Sequence, residues 1–494
     1  MMVAVNHTLT DLGHASGSNA ILWFHLAVWI VLAAYGLHRL HLICLYRKRR
    51  PTAVPPEPAE WPRVTIQLPI YDERYVAERL LEAAAAVDYP RERLEIQVLD
   101  DSEDETAGRM TRAVAALRDR GVDAVHIRRG NRAGYKAGAL EHGLARAKGD
   151  LIAIFDADFV PQPDMLKRMV PHFADPRVGM VQARWKHLNR DYSLLARLQA
   201  ISLDAHFLVE HTARMSADRY FNFNGTAGIL RRTCIEDAGG WQSDTLTEDL
   251  DLSYRAQLKG WRFVFAGDVG CPGELPVEMN AFKAQQHRWV RGSIQVARKL
   301  LPRIWKSEAP LGVKLEATFH LTSNVPYVLL LLLSLIVYPV VLARYSSRSV
   351  FFLAADSVLL IAATAPVLAY FAQVERGSAL KRLRWVPLVM TLGIGLAVNN
   401  TRAVLEGLFC RAGAFHRTPK FRLEARRDRW RGKRYRSPLR VHVLLELAFG
   451  LYFAWAMLAL ARAGLWAPLP FFVLYLFGFL YVGGLSVAHA SRRS

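Results

Sequence analysis

The sequence predicts a two-part protein, an α/β domain built on a mostly parallel sheet and joined to an α-helical transmembrane domain. Two observations predict it. Between residues 62 and 310, short apolar runs alternate with stretches of helical period, the pattern of strands separated by helices on both faces of a sheet. Outside that stretch lie almost charge-free runs at 20–37, 321–343, 351–372, 441–460 and 468–487. Each is near the ~20 residues a helix needs to cross ~30 Å of hydrocarbon, and none occurs between Arg47 and about Lys306.

Residues 1–50 read as a membrane anchor. Residues 1–19 hold no Lys or Arg, whereas Arg47-Lys48-Arg49-Arg50 follows the first run. That asymmetry is the reverse of a cleaved leader and leaves the following domain on the cytoplasmic side.

Residues 51–310 read as the α/β domain. RVTIQLP (63–69), LEIQVLD (94–100), AVHI (124–127), LIAIFDAD (151–158) and GMVQAR (179–184) are expected strands, separated by helices such as 74–86, 107–119 and 135–147. In such sheets ligands bind beyond the carboxyl ends of the strands. There the sequence places acids, in LPIYDE (68–73), LDDSEDE (99–105) and FDADF (155–159). No G-x-x-x-x-G-K-[ST], and no G-x-G-x-x-G after a strand, is present, which argues against a P-loop or a dinucleotide fold. Asp156 and Asp158 stand two apart on extended chain, so both point the same way. Their hard oxygens suit Mg²⁺ or Mn²⁺, although acids after a strand also cap the next helix. Glu248 and Asp249 open a helical run, as dipole partners or as a base. AFKAQQHRWVRGS (281–293) fits an amphipathic helix with a buried Trp, or a site that uses Gln285, Arg288 and Trp289.

Residues 311–494 read as the transmembrane domain. The short run 386–398 is followed by Asn399, Asn400, Arg402 and Glu406. Were it to cross, residues 411–440, with twelve Lys/Arg against Glu424 and Asp428, would lie outside against the charge rule. An interfacial helix is therefore expected, giving five spans with the C-terminus inside. This segment's net +10 is half of the chain's formal +20 and fits a juxtamembrane loop on anionic lipid, not nucleic acid. The four cysteines have no C-x-x-C spacing, which argues against a zinc site or a disulfide framework.

Taken in order, DDS (100–102), DAD (156–158), TED (247–249) and QQHRW (285–289) resemble the processive family-2 glycosyltransferases: cellulose, chitin and hyaluronan synthases. FNGTAG (223–228), DAGGW (237–241), LKGW (258–261) and ELP (274–276) bring the chain nearest to the cellulose-synthase-like enzymes of mannan and xyloglucan backbones. The resemblance implies a GT-A (Rossmann-like) glycosyltransferase domain. Tyr71, Glu73, Asp100 and Asp101 would hold the base and ribose of a nucleotide sugar, and Lys136 would reach the nucleotide. Asp158, supported by Asp156, would hold Mg²⁺ or Mn²⁺ at the diphosphate. Asp249, with Glu248 beside it, resembles the base that deprotonates the acceptor. Trp289 would stack the terminal sugar of the acceptor, while Gln285 and Arg288 would donate to acceptor and diphosphate oxygens. FHRTPK (415–420) is similar to the gating loop of cellulose synthases through Phe415, Thr418 and Lys420, with Arg417 in place of Val.

The implied activity is inverting transfer from UDP-glucose, with GDP-mannose second, to the end of a growing β-linked polysaccharide. The product would pass through the chain's own helices in a bacterial inner membrane or its equivalent. Synthesis of a glycolipid, on diacylglycerol or polyprenyl phosphate, is the alternative. The sequence stops a few residues after its last run, so the cyclic-dinucleotide-binding barrel of bacterial cellulose synthases is not expected.

Overall fold

The structure, a computed structural model, describes residues 16–49, 55–374, 384–410, 418–425, 427–430, 432–433 and 440–491. Its leading helix is α1 (Ser16–Arg47). A seven-stranded sheet follows: β1 (Val64–Ile70), β2 (Leu94–Asp100), β3 (Ala124–Arg128), β4 (Leu151–Ile154), β5 (Val178–His187), β6 (Gly228–Arg231) and β7 (Arg262–Gly273). The order is β3-β2-β1-β4-β6-β5-β7. The first four strands are mutually parallel, β6 runs antiparallel to both β4 and β5, and β7 is parallel to β5. Helices α2 (Ala77–Ala85), α3 (Thr106–Asp119), α4 (Tyr135–Leu144), α5 (Leu194–Ala205) and α6 (Glu248–Leu258) connect and cover it, with shorter ones left unlabelled.

The period-two pattern of β1 decides which residues face which layer. Val64, Ile66, Leu68 and Ile70 pack with Leu80 and Leu81 of α2 and Met110, Val114 and Leu117 of α3. Each such side chain fully removed from water contributes about 1.5–3 kcal/mol relative to exposure. The alternate residues of β1 are polar yet equally buried: Thr65 sits opposite Glu95 and Gln67 opposite Gln97. Thr65 Oγ1 donates to Glu95 Oε2 at 2.7 Å, and the carboxylate also accepts the Lys148 N–H at 2.9 Å, so this pair is satisfied within the layer. Beyond them Leu99, Ile152 and Ile154 pack with Leu140 and Leu144 of α4.

Three differences from expectation have local causes. Strand β4 ends at Ile154, short of 158, because the chain turns out of the sheet to present Asp156 and Asp158. Strand β6 is only four residues long and is hidden behind FNGTAG. Strand β7 carries Asp268 and three glycines, which interrupt the alternation that would have marked it.

The second half contains α7 (Met279–Lys306), α8 (Leu311–Leu321), α9 (Pro326–Ser347), α10 (Val350–Phe371), α11 (Val386–Gly395), α12 (Ala397–Phe409), α13 (Val443–Arg462) and α14 (Leu469–Ser491). Among the described residues, five helices are long and apolar enough to cross a membrane: α1, α9, α10, α13 and α14. Helices α11 and α12 form a pair bent by 54°, which would make a sixth if counted as one span. The bend is set by packing: a Cβ on Gly395 would lie 2.2 Å from the Gly478 carbonyl of α14. Both ends of the pair touch the α/β domain and the helix that follows it. Arg197 lies over the Trp385 ring at 4.7 Å, and Glu406 meets His287 at 3.1 Å and Arg291 at 3.2 Å.

Candidate active site

The carboxyl ends of β1, β2 and β4 open onto one cleft, walled on the far side by α6, α7 and the segment at 418–420. Into it the fold brings Tyr71, Glu73, Asp101, Lys136, Asp156, Asp158, Glu248, Asp249, Gln285, Arg288, Trp289, Thr418 and Lys420. These come from seven separate stretches of sequence, and they are the residues singled out above with two exceptions. Phe415, like Arg417, lies outside the described residues. Asp100 does not line the cleft: it is 1% exposed, its Oδ1 accepts the Ser102 N–H at 2.8 Å, and its Oδ2 meets His126 Nε2 at 2.9 Å. The period of two sends Asp100 into the sheet layer and Asp101 into the cleft.

FNGTAG is the hinge of the site. Gly225 has φ +80°, and a Cβ there would stand 2.8 Å from the Asp249 carboxylate, so only glycine lets the loop pass the acid. Lys136 Nζ donates to the Gly225 carbonyl at 2.8 Å and to Asp156 Oδ1 at 2.6 Å. The Asp156 N–H in turn donates to Thr226 Oγ1 at 2.8 Å. One loop thereby fixes the spacing between the acid after β4 and the acid at the start of α6.

The charges bias one another. Burial and the neighbouring Glu248 push Asp249 up to about 7, against the pull of Lys136. Burial likewise raises Glu248. Burial alone would lower Lys136, but Asp156 and Glu248 hold its ammonium above the ordinary value. A carboxylate poised near neutrality beside a permanently charged lysine is the arrangement that general-base work requires.

Asp156 and Asp158 suit a divalent cation. Both present hard oxygens, and each already attracts an ammonium, Lys136 on Asp156 and Lys420 on Asp158. No group of three or more His, Cys, Asp or Glu among the described residues could hold a metal alone. A two-carboxylate site matches Mg²⁺ or Mn²⁺, which complete their shells with water and phosphate oxygens.

Lys420 is brought there by the segment the sequence marked through Phe415, Thr418 and Lys420, of which the last two are described. Phe421 N–H donates to Glu274 Oε1 at 2.8 Å, and Phe421 and Leu423 pack on Val277. Arg79 of α2 reaches Glu424 at 2.8 Å. Glu274, in the ELP motif, is the anchor of this cover; its role was not legible because its partner lies 147 residues away. Thr418 Oγ1 is buried beside the cleft and has no hydrogen-bond partner among the described residues.

Behind the cleft lies a second cavity of 510 Å³. Trp185, Asn224, Thr247, Asp249, Gln285 and Trp289 line both spaces. The two indoles stand 6.5 Å apart between ring centroids. The cavity extends among amides and hydroxyls of α5, α7 and the residues preceding α9, and it reaches Tyr370 and Phe371 of α10 and Leu392 of α11. Trp289 is therefore a partition between two sites and not a buried core residue. His287, on the other side of the same helix, faces α12 through Glu406.

Comparison with known proteins bears on the family and the fold. A family described as glycosyltransferase like family 2 matches residues 62–292. Glucomannan 4-beta-mannosyltransferase 2 of Arabidopsis thaliana is 43% identical over 255 residues, covering 51% of this chain and 48% of its own. Glucomannan 4-beta-mannosyltransferase 1 of Oryza sativa subsp. japonica is likewise 43% identical over 255 residues, at 50% and 49% coverage. The chain spans about half the length of these relatives. Among solved structures, the mannosyltransferase PcManGT of Pyrobaculum calidifontis, in complex with GDP-Man and Mn²⁺, aligns with TM-score 0.53 at 24% identity, covering 78% of this chain and 100% of its own. Seven strands in this order, acids beyond the carboxyl ends of β1, β2 and β4 and the family match converge on one assignment: residues 62–292 are a family-2 glycosyltransferase domain of the GT-A fold.

Proposed function

We propose that this chain is an inverting, metal-dependent membrane glycosyltransferase that moves mannose from GDP-mannose to the end of a growing β-linked polysaccharide of mannan type. The observation that carries the reading is the adjacency of the two cavities, which share Asp249, Gln285 and Trp289 as lining. A donor cleft that shares a wall with a second space, lined by Trp289, Tyr327, Tyr370 and several amides, has room beside it for a chain end as well as a sugar nucleotide. The names of the plant relatives and the ligand of PcManGT favour mannose and GDP, which reverses the order of donors expected from the sequence. The plant relatives also lend no support to a bacterial membrane as the setting.

In this reading Asp156 and Asp158 would hold Mg²⁺ or Mn²⁺, which would supply positive charge to the departing diphosphate. Lys136, Arg288, Thr418 and Lys420 add donors around the same oxygens; the fork of Arg288 suits phosphate better than an ammonium would. Trp289 offers an aromatic face to the terminal sugar, and Gln285 a donor or acceptor to its hydroxyls. Asp249 accepts the proton of the acceptor hydroxyl as its oxygen attacks the anomeric carbon. A new glycosidic bond forms, the bond from that carbon to the diphosphate oxygen breaks, and GDP departs from the opposite face.

The test supplies the purified chain in liposomes with labelled GDP-mannose or UDP-glucose and Mn²⁺. The expected product is an ethanol-insoluble polymer made from GDP-mannose and degraded by a β-mannanase. A product that extracts into organic solvent and carries a single mannose would establish the glycolipid alternative instead.

A further inference from the structure

A sugar nucleotide is linear, and the cleft fixes two of its three parts. In the proposed function, on which this inference rests, the sugar must reach Asp249 and Trp289 and the diphosphate must reach Asp156 and Asp158. The nucleoside is left with the far end of the cleft, beyond β1 and β2, where Tyr71, Asp101 and Arg132 stand.

Arg132 has an unusual setting there. Its guanidinium carbon lies 3.3 Å from the centroid of the Tyr71 ring and 5.0 Å from that of Tyr135. Among the described residues it meets no carboxylate and no carbonyl, so its fork of N–H donors is held in the cleft without a protein acceptor. The loop that carries it is stiff. Arg129 Nε donates to Asp101 Oδ1 at 2.9 Å, while its Nη1 and Nη2 donate to the Ala133 and Tyr135 carbonyls at 2.8 and 3.0 Å. Gly134 turns the chain at φ +70°, and a Cβ on Gly138 would lie 2.1 Å from the Ala133 carbonyl, so the turn is packed down on α4. Asp101 thus spends its carboxylate on positioning the Arg132 loop.

We propose that Arg132, clasped over Tyr71, reads the nucleobase and selects guanine. Guanine presents O6 and N7 as adjacent acceptors that match a guanidinium fork. Adenine replaces one of them with an amino donor, and uracil places an N–H between its two carbonyls. Neither offers the fork two acceptors side by side. The rigid loop makes the recognition cheap, because a pre-organised side chain loses little freedom on binding.

The experiment measures GDP, UDP and ADP binding by calorimetry, with Mn²⁺ present, to the full chain in nanodiscs. It compares the parent with Arg132→Lys and Arg132→Gln, each checked for an unchanged melting profile. The parent is expected to prefer GDP over UDP and ADP by about 10-fold or more, the scale of a good bidentate base contact. Arg132→Lys keeps the positive charge but loses the fork, so GDP binding should weaken by about 10-fold while UDP binding stays unchanged. If Arg132→Gln weakens GDP and UDP by one common factor, the residue serves the diphosphate and the proposal falls. It also falls if Arg132→Lys keeps the parent's GDP preference, and in that case the donor reading stands without it. A parent that prefers UDP would overturn the donor reading and this inference together. Should Arg132→Gln fail to fold, the lysine variant alone decides.

Discussion

Asp249 carries the densest physical information of any single residue, because burial and Glu248 hold its carboxyl near 7 while Lys136 pulls it down. A base must be deprotonated to work, so kcat/KM is expected to rise with pH through about 7 and level off above it. Glu248→Gln removes one of the influences that raise Asp249, so this limb should move to lower pH; a profile that stays in place would show that the two acids do not interact. Asp249→Asn should cost ~10²–10⁴ in turnover, with GDP affinity nearly kept, since only the proton acceptor is lost. Polymer yield close to that of the parent would remove Asp249 from the chemistry. The acids were legible in the sequence because carboxylates at strand ends are few and their types restrict what they can do. Glu274, Arg129 and Arg132 were not. Glutamates and arginines are common in loops, and what distinguishes these three is a partner at a long sequence distance, Phe421 for Glu274, Asp101 for Arg129 and Tyr71 for Arg132. Asp100 was misplaced for a related reason: side by side with Asp101, it shares every chemical attribute except the face of the strand.

At the scale of elements, hydrophobic period located the parallel half of the sheet and the five long apolar helices, because each depends on local repeats. It did not find β6 or β7, whose membership in the sheet comes from pairing with β4 and β5. Nor could it show how α7 is moored to α13. Lys283 of α7 and Glu446 of α13 form a buried pair, 2.6 Å from Nζ to Oε1, and the Lys283 carbonyl accepts from Asn399 Nδ2 of α12 at 3.0 Å. Two charges taken out of water together are tolerated; one alone is not. Glu446→Ala should therefore destabilise the chain by about 3–5 kcal/mol, read as a lower denaturation midpoint in detergent. Replacing both residues by leucine should recover most of the loss. A double variant as weak as the single one would mean that the pair does more than neutralise itself, and that α7 needs this specific contact to hold Gln285, Arg288 and Trp289 in the cleft.

For the whole molecule, the decisive quantity is how many times the chain crosses the membrane, since this fixes where the segment covering the cleft can lie. The contacts favour five crossings with every domain-facing end on one side. The C-terminal part of α1 meets the α/β domain through Arg39 and Glu210, and Tyr370, near the end of α10, donates to Glu210 at 2.6 Å. His489, near the end of α14, accepts the Met279 N–H at 3.1 Å. At the opposite end, Trp23 of α1 packs on Phe352 of α10 at 5.2 Å between ring centroids. The bent pair α11–α12 starts under Arg197 and finishes beside His287, so it is expected to dip in and return instead of crossing. Charge agrees, because the basic stretch 411–440 then stays on the side of the domain, where Lys420 meets Asp158. The native cysteines supply the probe: Cys234 and Cys271 are buried, while Cys44 and Cys410 are exposed. In a Cys44→Ala background, an impermeant maleimide should modify Cys410 only from the face that carries the α/β domain. A cysteine introduced as Ser347→Cys, at the end of α9, should react only from the other face once Cys410 is also replaced. If Cys410 were modified from the same face as Ser347→Cys, α11–α12 would be a sixth span. The segment at 418–420 would then need a second crossing to reach the cleft, a length that the residues between Cys410 and Thr418 cannot supply.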